Sequence, residues 1–243
     1  MKTAAMNRIL IASGCALLIS VAVKSQELSL DDVLIKYYQA SAMENLQKMN
    51  TVTVTGTIVQ QDLMPFRIVK VRPDKYLLEF DAVDITAYLA YDGQTAWMTA
   101  PWTGNPNPQE MPPDRKGEMK VRADFDGILY HWKDKGVTLE LIGRETSDSL
   151  DAYRIKLIRV DGGTENYFID ARDFLLKKRT YMRKIRGQDV EVQMFYLDYR
   201  KQDGIPFPFV TRILTNQFAQ EYQADSVEFN LPVNGNIFKM PEK

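Results

Sequence analysis

The chain has 243 residues, 45% of them hydrophobic and 26% charged, with a formal net charge of −1. A chain of this length can bury a large core, but it lacks the positive charge excess that binding to nucleic-acid phosphates requires, so no nucleic-acid partner is expected. With one cysteine and one histidine, it can form neither an internal disulfide framework nor a multi-histidine metal site, and no metal or cofactor is expected.

Residues 1–25 have the pattern of a cleaved export signal. Lys2 and Arg8 precede the apolar run 9–23, and small residues follow before Gln26. This order of a basic start, an apolar core and a small-residue cleavage site is typical of secretory signals. The prediction is a periplasmic protein.

Cys15, the single cysteine, lies inside this segment and has two interpretations. It could be lipidated, since residues 12–14 (ASG) precede it, and the protein would then be lipid-anchored. Alternatively it is a small apolar residue of the signal core, which the continued apolar run 16–23 favours. The rest of the chain, residues 26–243, shows no repeat and no linker, and is interpreted as one domain.

A first helix is predicted over residues 26–50. Ser29 can cap its start, and Asp32, three residues on, occupies the second position of a capping box. Apolar residues recur on one broad face and favour packing against a sheet. These residues are Leu30, Val33, Leu34, Tyr37, Met43 and Leu46.

Five strands and a proline-rich loop are predicted next. The strands cover residues 51–60, 66–72, 76–80, 86–91 and 95–99. Asp92-Gly93 predicts a hairpin turn, because glycine accepts the positive φ of a tight turn. Residues 101–113 contain five prolines and no periodicity, which predicts a long surface loop that is either a lid or mobile.

A second helix is predicted from Asp124, as its N-cap, to Gly136 as its end. Its apolar residues fall at i, i+3, i+4 and i+7, which indicates one face of a helix. They are Phe125, Ile128, Leu129 and Trp132. Placed between two sets of strands, this helix is expected to lie across the concave face of a curved sheet.

Residues 137–229 predict an antiparallel meander of strands. Apolar and polar residues alternate over 137–141, 153–157 and 190–194, which gives each strand one apolar and one polar face. Glycine-containing turns at 162–163, 187–188 and 203–204 separate the strands. An apolar face of this length has to be covered by other elements.

Candidate catalytic groups are few. His131 is predicted to be a solvated surface residue, and Asp124 and Asp126 are two apart on the predicted helix, so their carboxyl groups would point to different sides. The sequence contains neither a Gly-x-Ser-x-Gly motif nor a phosphate-binding glycine loop. An enzyme, such as a hydrolase of an envelope lipid, is therefore not expected.

One dense basic stretch has two interpretations. It is either the solvated outer face of a strand that is protected from edge pairing, or a surface for anionic lipid or an acidic partner. Its members are Lys177, Lys178, Arg179, Arg183, Lys184 and Arg186.

Three short motifs resemble the LolA-like periplasmic carriers of lipoproteins and their lipid-binding relatives. They are residues 71–76 (VRPDKY) running into 79–80 (EF), residues 91–97 (YDGQTAW), and residues 238–241 (FKMP). The order of elements along the chain resembles that family over nearly the whole mature sequence. The second half is longer than in the compact carriers, and residues 203–208 (DGIPFP) look more like the broader outer-membrane lipoprotein-sorting group.

The resemblance implies a mainly β (α+β) fold, in which a single curved antiparallel sheet forms an incomplete barrel and helices cover its concave hydrophobic face. It also implies that Arg72 gates the lid, bonding the lid helices closed and releasing them when acyl chains enter. The alternative for Arg72 is an ordinary surface arginine at a strand end.

The functional expectation is a monomeric periplasmic carrier of lipoprotein acyl chains or lipid, with an inner-membrane donor and an outer-membrane acceptor protein as partners. The alternative is a non-carrier envelope sensor or assembly domain that uses the same half-barrel to bind a membrane partner. The residues expected to line the lipid-binding cavity are Leu78, Phe80, Trp97, Phe125, Ile128, Leu129, Trp132, Leu139, Leu141, Ile155 and Leu157.

Overall fold

The structure is a computed structural model that describes residues 27–82, 85–147, 149–185 and 187–242. The predicted export signal, with Cys15, lies outside the described residues, as does Arg186 of the basic stretch. No helix within the described ranges is long and apolar enough to cross a membrane.

One 13-stranded antiparallel sheet dominates the described part of the chain. Its strands are β1 (Thr51–Val59), β2 (Leu63–Val71), β3 (Lys75–Ala82), β4 (Ile85–Tyr91), β5 (Ala96–Ala100), β6 (Asn105–Glu110), β7 (Thr138–Ser147), β8 (Leu150–Ile158), β9 (Thr164–Asp170), β10 (Leu176–Ile185), β11 (Gln188–Gln202), β12 (Ile205–Leu214) and β13 (Ala219–Phe229). Their order is β6-β5-β4-β3-β2-β1-β13-β12-β11-β10-β9-β8-β7. Two meanders therefore meet at the centre, and the sheet stays open between its edge strands β6 and β7, which confirms the predicted incomplete barrel.

The two meanders are joined by pairing of β1 with β13, and Gly56 lies at the irregular point of this junction. The register shifts between Thr55 and Gly56. A Cβ atom at Gly56 would lie 2.0 Å from the backbone oxygen of Gln223. The close approach of β13 therefore requires glycine here.

The amino-terminal helical segment is shorter than predicted and is divided in two. It consists of α1 (Leu30–Ala40) and α2 (Met43–Leu46), separated by Ala42 in the left-handed region at φ 50°. The predicted capping box is confirmed: Asp32 N donates to Ser29 Oγ at 3.2 Å, and Ser29 N donates to Asp32 Oδ2 at 3.0 Å.

The prediction of a helix over 124–136 was wrong. Gly127 and His131 have positive φ angles of 78° and 49°, which interrupt an α-helix, and the segment is a series of turns. The helix lies just before it, as α3 (Pro113–Ala123). Asp124 is the C-cap of α3 and not the N-cap of a later helix.

The predicted proline-rich loop also contains regular structure. A 3-10 helix (Pro101–Thr103) leads into β6, whose Pro106 and Pro108 lack a backbone N–H. Strand β6 pairs only with β5. An edge strand tolerates proline because one side of it has no partner for the missing donor.

Both faces of the sheet carry a core. On the outer face, Val69, Leu77, Ala90 and Trp97 form a row across β2 to β5, covered by Phe238 of the carboxyl-terminal 3-10 helix (Gly235–Phe238). On the other face, called concave below, helix α3 lies against β3, β4 and β5, and α1 packs on β7, β8 and β9. Helices α1 and α3 therefore cover the two ends of the concave face, the short α2 contacts β12, and the rest of the centre is left to another segment.

That segment is the connection between β6 and β7, called the crossover (residues 111–137). Its ends belong to the two opposite edges of the sheet. It runs over the concave face, first as α3 and then as the turns after Ala123, which reach α1 through a hydrogen bond from Tyr38 Oη to the oxygen of Leu129 at 2.6 Å.

Candidate functional site

A cavity of about 420 Å³ lies over the central strands, beneath the crossover. This volume lies within the range of small-molecule ligand sites, roughly 300 to 1,000 Å³. Aliphatic and aromatic side chains from the helices and central strands form much of its wall. Examples are Tyr37, Met43, Leu46, Val52, Val54, Phe66, Ile68, Met194, Ile205, Phe207, Phe209, Ile213, Ala224 and Phe229.

The turns after α3 form the roof of this cavity. Phe125, Ile128 and Leu129 contribute to its lining. Phe125 and Leu129 are buried, whereas Ile128 is half-buried. Leu129 also packs with Val33 and Leu34 of α1, so the roof is continuous with the helical cover.

Arg72 connects this roof to α2 and to the end of β2. Its Nη1 donates to Asp126 Oδ2 at 2.7 Å, and its Nη2 donates to Asp126 Oδ1 at 2.5 Å. The same guanidinium donates to the backbone oxygens of Met49 at 2.6 Å and Leu46 at 3.0 Å. The arginine thus joins three elements around one planar group, and the pair with Asp126 is called the clasp below.

The clasp lies in a partly apolar environment. The Arg72 guanidinium carbon lies 4.4 Å from the centre of the Phe125 ring, a cation–π contact. Burial alone would raise the pKa of Asp126, but the hydrogen bonds and positive charge of Arg72 outweigh it and lower that pKa below its ordinary value. Asp126 is therefore ionised at neutral pH, and the pair is ionic.

Two further ion pairs hold the crossover in place. Lys135 Nζ donates to Asp124 Oδ2 at 2.7 Å and to the oxygen of Gly127 at 2.8 Å, which closes the turns on themselves. Arg183 of β10 pairs with Glu118 of α3 at 3.0 Å. Since α3 packs on β3 to β5, this second pair links opposite halves of the sheet across the concave side.

A buried charged network forms another part of the wall. Glu165, whose side chain is 2% exposed, accepts from Arg179 Nε at 2.8 Å and from Tyr167 Oη at 2.8 Å. Arg159 Nη1 donates to the other oxygen of Glu165 at 2.7 Å. Arg179 lines the cavity, but its charge is matched by this carboxylate.

Lys70 and Arg122 also line the cavity. Lys70 Nζ donates to the backbone oxygen of Asp124 at 3.3 Å, a long hydrogen bond. Burial lowers the pKa of Lys70 to about 8, with the positive charge of Arg122 acting in the same direction and Asp124 opposing it. Arg122 lies beside the hydroxyl groups of Tyr76 and Tyr222.

The structure divides the predicted cavity residues among several places. Phe125, Ile128 and Leu129 line the cavity. Leu78 and Phe80 pack beneath α3, and Trp132, Leu139, Leu141, Ile155 and Leu157 belong to the cluster beneath α1. Trp97 lies on the outer face, where its Nε1 donates to the oxygen of Phe238 at 2.8 Å. Of the predicted residues, only Phe125, Ile128 and Leu129 therefore line the cavity, and the other eight lie outside its lining.

The basic stretch is likewise divided, because its members alternate along β10. Arg179 and Arg183 make the inward ion pairs described above. Lys178, next to Arg179 in β10, lies 5.6 Å from the Phe168 ring and 5.1 Å from the Phe195 ring. The stretch is therefore not a single charged surface.

His131, predicted to be solvated, is confirmed as exposed, with 63% of its side chain accessible and Asp134 at 3.6 Å. Within the described ranges, no group of three or more histidine, cysteine, aspartate or glutamate side chains is placed to hold a metal ion.

Several residues of the site were not found from the sequence. Lys70 follows Phe66 and Ile68 at a spacing of two, which does place it on their face of β2. A lysine at the end of an apolar alternation was a usable signal. Arg72 was singled out through the family resemblance, but its partner Asp126, 54 positions away in the chain, had no sequence signal.

Neither a protein-family model nor a curated protein matches the sequence. Solved structures do match. A LolA superfamily protein from Nitrosomonas europaea has a TM-score of 0.58 at 14% identity, covering 87% of this chain and 98% of that one. A DUF1329 family protein from Desulfovibrio piger has a TM-score of 0.60 at 14% identity, covering 85% and 97%.

A third similar structure is a domain from Vibrio parahaemolyticus named for outer-membrane lipoprotein sorting, with a TM-score of 0.55 at 12% identity, covering 84% of this chain and 95% of that one. At these identities the likeness concerns the fold. The chain has a LolA-like fold, as the three sequence motifs predicted.

Proposed function

We propose, from the LolA-like fold and the roofed apolar cavity, that this protein is a periplasmic carrier that binds acyl chains of lipoproteins or lipids for transfer toward the outer membrane. The observation that supports this most is the clasp, because it fastens the segment that covers an apolar cavity through a single ion pair. Export through residues 1–25 would bring the protein to the compartment where such cargo travels.

The cavity wall suits acyl chains energetically. Each methylene group moved from water into apolar surroundings contributes about 0.8 kcal/mol. A chain that buries about eight methylenes would gain on the order of 6 kcal/mol before the entropy of association is subtracted. After that subtraction one such chain is held only weakly, so retention of cargo requires more buried methylenes or several chains, and release would then need an opposing interaction.

The clasp supplies such an interaction. Phe125 and Ile128 line the cavity and belong to the segment that Arg72 holds through Asp126, so cargo larger than the cavity of about 420 Å³ would have to lift this segment. Part of the binding free energy is then used to break the clasp. Re-forming the clasp would favour release to an acceptor, which is the gating role proposed for Arg72.

The proposed partners are an inner-membrane donor protein and an outer-membrane acceptor protein, and the protein is proposed to act as a monomer without catalysis. A carrier has to leave the donor membrane with its cargo. The alternative role, an envelope sensor or assembly domain, would need lipid or partner binding but no transfer.

The test begins with the full chain expressed with its signal in a Gram-negative host. The purified protein is extracted with organic solvent, and bound acyl chains are measured by mass spectrometry. It is then incubated with inner-membrane vesicles carrying a labelled lipoprotein, and the label in the soluble fraction is measured. A carrier should contain acyl chains and should release the lipoprotein.

The matched variants are Arg72→Leu and Arg67→Leu. Both arginines are at or near β2 and each pairs with a carboxylate, but Arg67 pairs with Glu79 on the outer face. Arg72→Leu should retain acyl chains and fail to pass them to an acceptor, whereas Arg67→Leu should behave as the wild type. Absence of both bound acyl chains and lipoprotein release would refute the carrier proposal, and bound chains without release would favour the sensor.

A further inference from the structure

The cavity wall carries two positive charges that the described protein groups do not match. Asp126 pairs with Arg72, Asp124 with Lys135, and Glu165 with Arg179 and Arg159. Within the described ranges, Lys70 and Arg122 have no carboxylate at ion-pair distance. These two residues are called the cationic pair below.

The cationic pair is placed in one corner of the cavity. Lys70 on β2 stands opposite Tyr76 on β3 in the strand register. Arg122, in the last turn of α3, lies beside the same Tyr76 and beside Tyr222 of β13. Two cations and two phenol hydroxyls thus face one place in the wall, whose other charged side chains, Asp124, Asp126 and Arg179, are paired with protein groups.

Both cations have hydrogen-bond donors to spare. A lysine ammonium has three N–H donors, and Lys70 uses one of them in the long bond to the Asp124 oxygen. A guanidinium has five, more than the two neighbouring phenols can accept. Partly buried charges of one sign are unfavourable unless they are paired, so this corner gains from an added anion.

The corner also has a definite position relative to the roof. Residues 66, 68, 70 and 72 alternate onto the same side of β2 and its end, so the wall changes from Phe66 and Ile68 to Lys70 and then to the clasp at Arg72. A ligand with an apolar tail at Phe66 would have its head beside the cationic pair, one step inside the clasp.

We infer that the cavity selects acyl lipids with an anionic head, a carboxylate or a phosphate, which Lys70 and Arg122 bind while the chain occupies the apolar wall. This inference rests on the proposed acyl-chain function and names the head chemistry for the same site. Tyr76 and Tyr222 would donate from their hydroxyls to the same head.

The experiment compares ligands that share one chain. Palmitate, palmitoyl lysophosphatidylglycerol and the uncharged monopalmitoyl glycerol displace a fluorescent fatty-acyl probe from delipidated full-length protein. The wild type should bind at least one of the two anionic ligands about tenfold more tightly than monopalmitoyl glycerol, the effect of about one charge-assisted hydrogen bond. Comparing the two anions distinguishes a carboxylate head from a phosphate head.

The variants are Lys70→Met and Arg122→Gln, with Lys120→Met and Arg172→Gln as controls at exposed positions. Each cavity variant should reduce the preference for the anionic head several-fold and leave monopalmitoyl glycerol binding within about twofold of the wild type. The controls should retain the wild-type preference. Circular dichroism checks that each variant is folded.

The outcomes separate the two proposals. If none of the three ligands displaces the probe, the acyl-chain function is wrong. If all three bind with equal affinity, or if the cavity variants lose anionic and neutral ligands in parallel, acyl binding stands and the head selection is wrong. If Arg122→Gln does not fold, Lys70→Met alone decides.

Discussion

Arg72 and Asp126 face each other through two nearly equal hydrogen bonds, of 2.7 and 2.5 Å, between the end of β2 and the crossover. Their side chains are 22% and 18% exposed, so the pair is partly desolvated. Removing one partner leaves the other charge without compensation. Arg72→Leu should therefore reduce the free energy of unfolding by about 2 kcal/mol, and Asp126→Asn, which keeps one hydrogen bond, by about 1 kcal/mol.

Urea denaturation followed by circular dichroism measures these changes. The control is Arg67→Leu, because the Arg67–Glu79 pair is 43% and 30% exposed and should contribute less than about 1 kcal/mol. A double-mutant cycle on Arg72 and Asp126 should give a coupling energy larger than that of Arg67 and Glu79. Equal coupling energies would contradict a structural role for the clasp.

The clasp should also weaken in acid. The pKa of Asp126 is lowered in the folded protein, so its contribution is present above the unfolded-state pKa of about 4 and is lost as pH falls through the folded-state value. The stability difference between the wild type and Asp126→Asn should stay constant from pH 7 to about 5 and shrink below about 4. Denaturation of both proteins over this range gives the difference, and a gap that widens in acid would contradict the assignment.

Gly56→Ala should be among the most damaging single substitutions. The new methyl carbon would lie 2.0 Å from the Gln223 oxygen, a backbone atom that cannot move away without shifting β13. We expect a loss of stability of about 3 kcal/mol, as for strong overpacking. Gly117→Ala in α3, where nothing lies within 4 Å of the added carbon, should be neutral or stabilising.

Lys70→Met should stabilise the unliganded protein. Because the pKa of Lys70 is lowered to about 8 on folding, its charge opposes folding below that pH, and the penalty disappears as pH rises from about 8 to 10.5. The variant should gain about 1 kcal/mol at pH 7, with a smaller gain at pH 10. The charges of Arg122, Asp124 and Asp126 also shift the pKa of Lys70, and these three residues are the same in the wild type and the variant. A gain that grows with pH would show that the penalty is not electrostatic.

Trp97→Phe should separate stability from ligand binding. It removes the hydrogen bond to the Phe238 oxygen on the outer face, which should cost about 1 kcal/mol of stability and leave acyl-chain affinity unchanged. Ile128→Ala, within the cavity lining, should reduce acyl-chain affinity about tenfold. Isothermal titration with palmitate measures the affinity of both variants, and urea denaturation measures the stability of Trp97→Phe. A loss of affinity in Trp97→Phe would place the ligand on the other side of the sheet.

Local patterns in the sequence were sufficient for most strands. The Asp92-Gly93 turn is present: Asp92 Oδ1 accepts from the backbone N–H groups of Gln94 and Thr95 at 2.8 and 2.7 Å. Alternation also gave each strand two faces, but it contains no information on which face is concave. Trp97 alternates correctly with Ala96 and Met98, and only the position of Phe238, 141 residues away, shows that it faces outward.

Helix placement failed for a different reason. Phe125, Ile128, Leu129 and Trp132 have helical spacing because successive turns, closed by hydrogen bonds such as that from Tyr130 N to the Gly127 oxygen at 3.1 Å, also bring every third or fourth residue inward. The true helix, α3, contains Gly117 and few apolar residues, so its periodicity is weak. Its burial of Met119 and Ala123 is a result of tertiary packing and not of a strong local pattern.

The crossover belongs covalently to both rims of the open sheet. Its contour length is fixed, so the rims cannot spread apart without straightening the turns that cover the centre. A large ligand that pushes the two edges of the sheet apart would therefore pull on the roof from both ends. The size of the ligand would then determine the position of the roof.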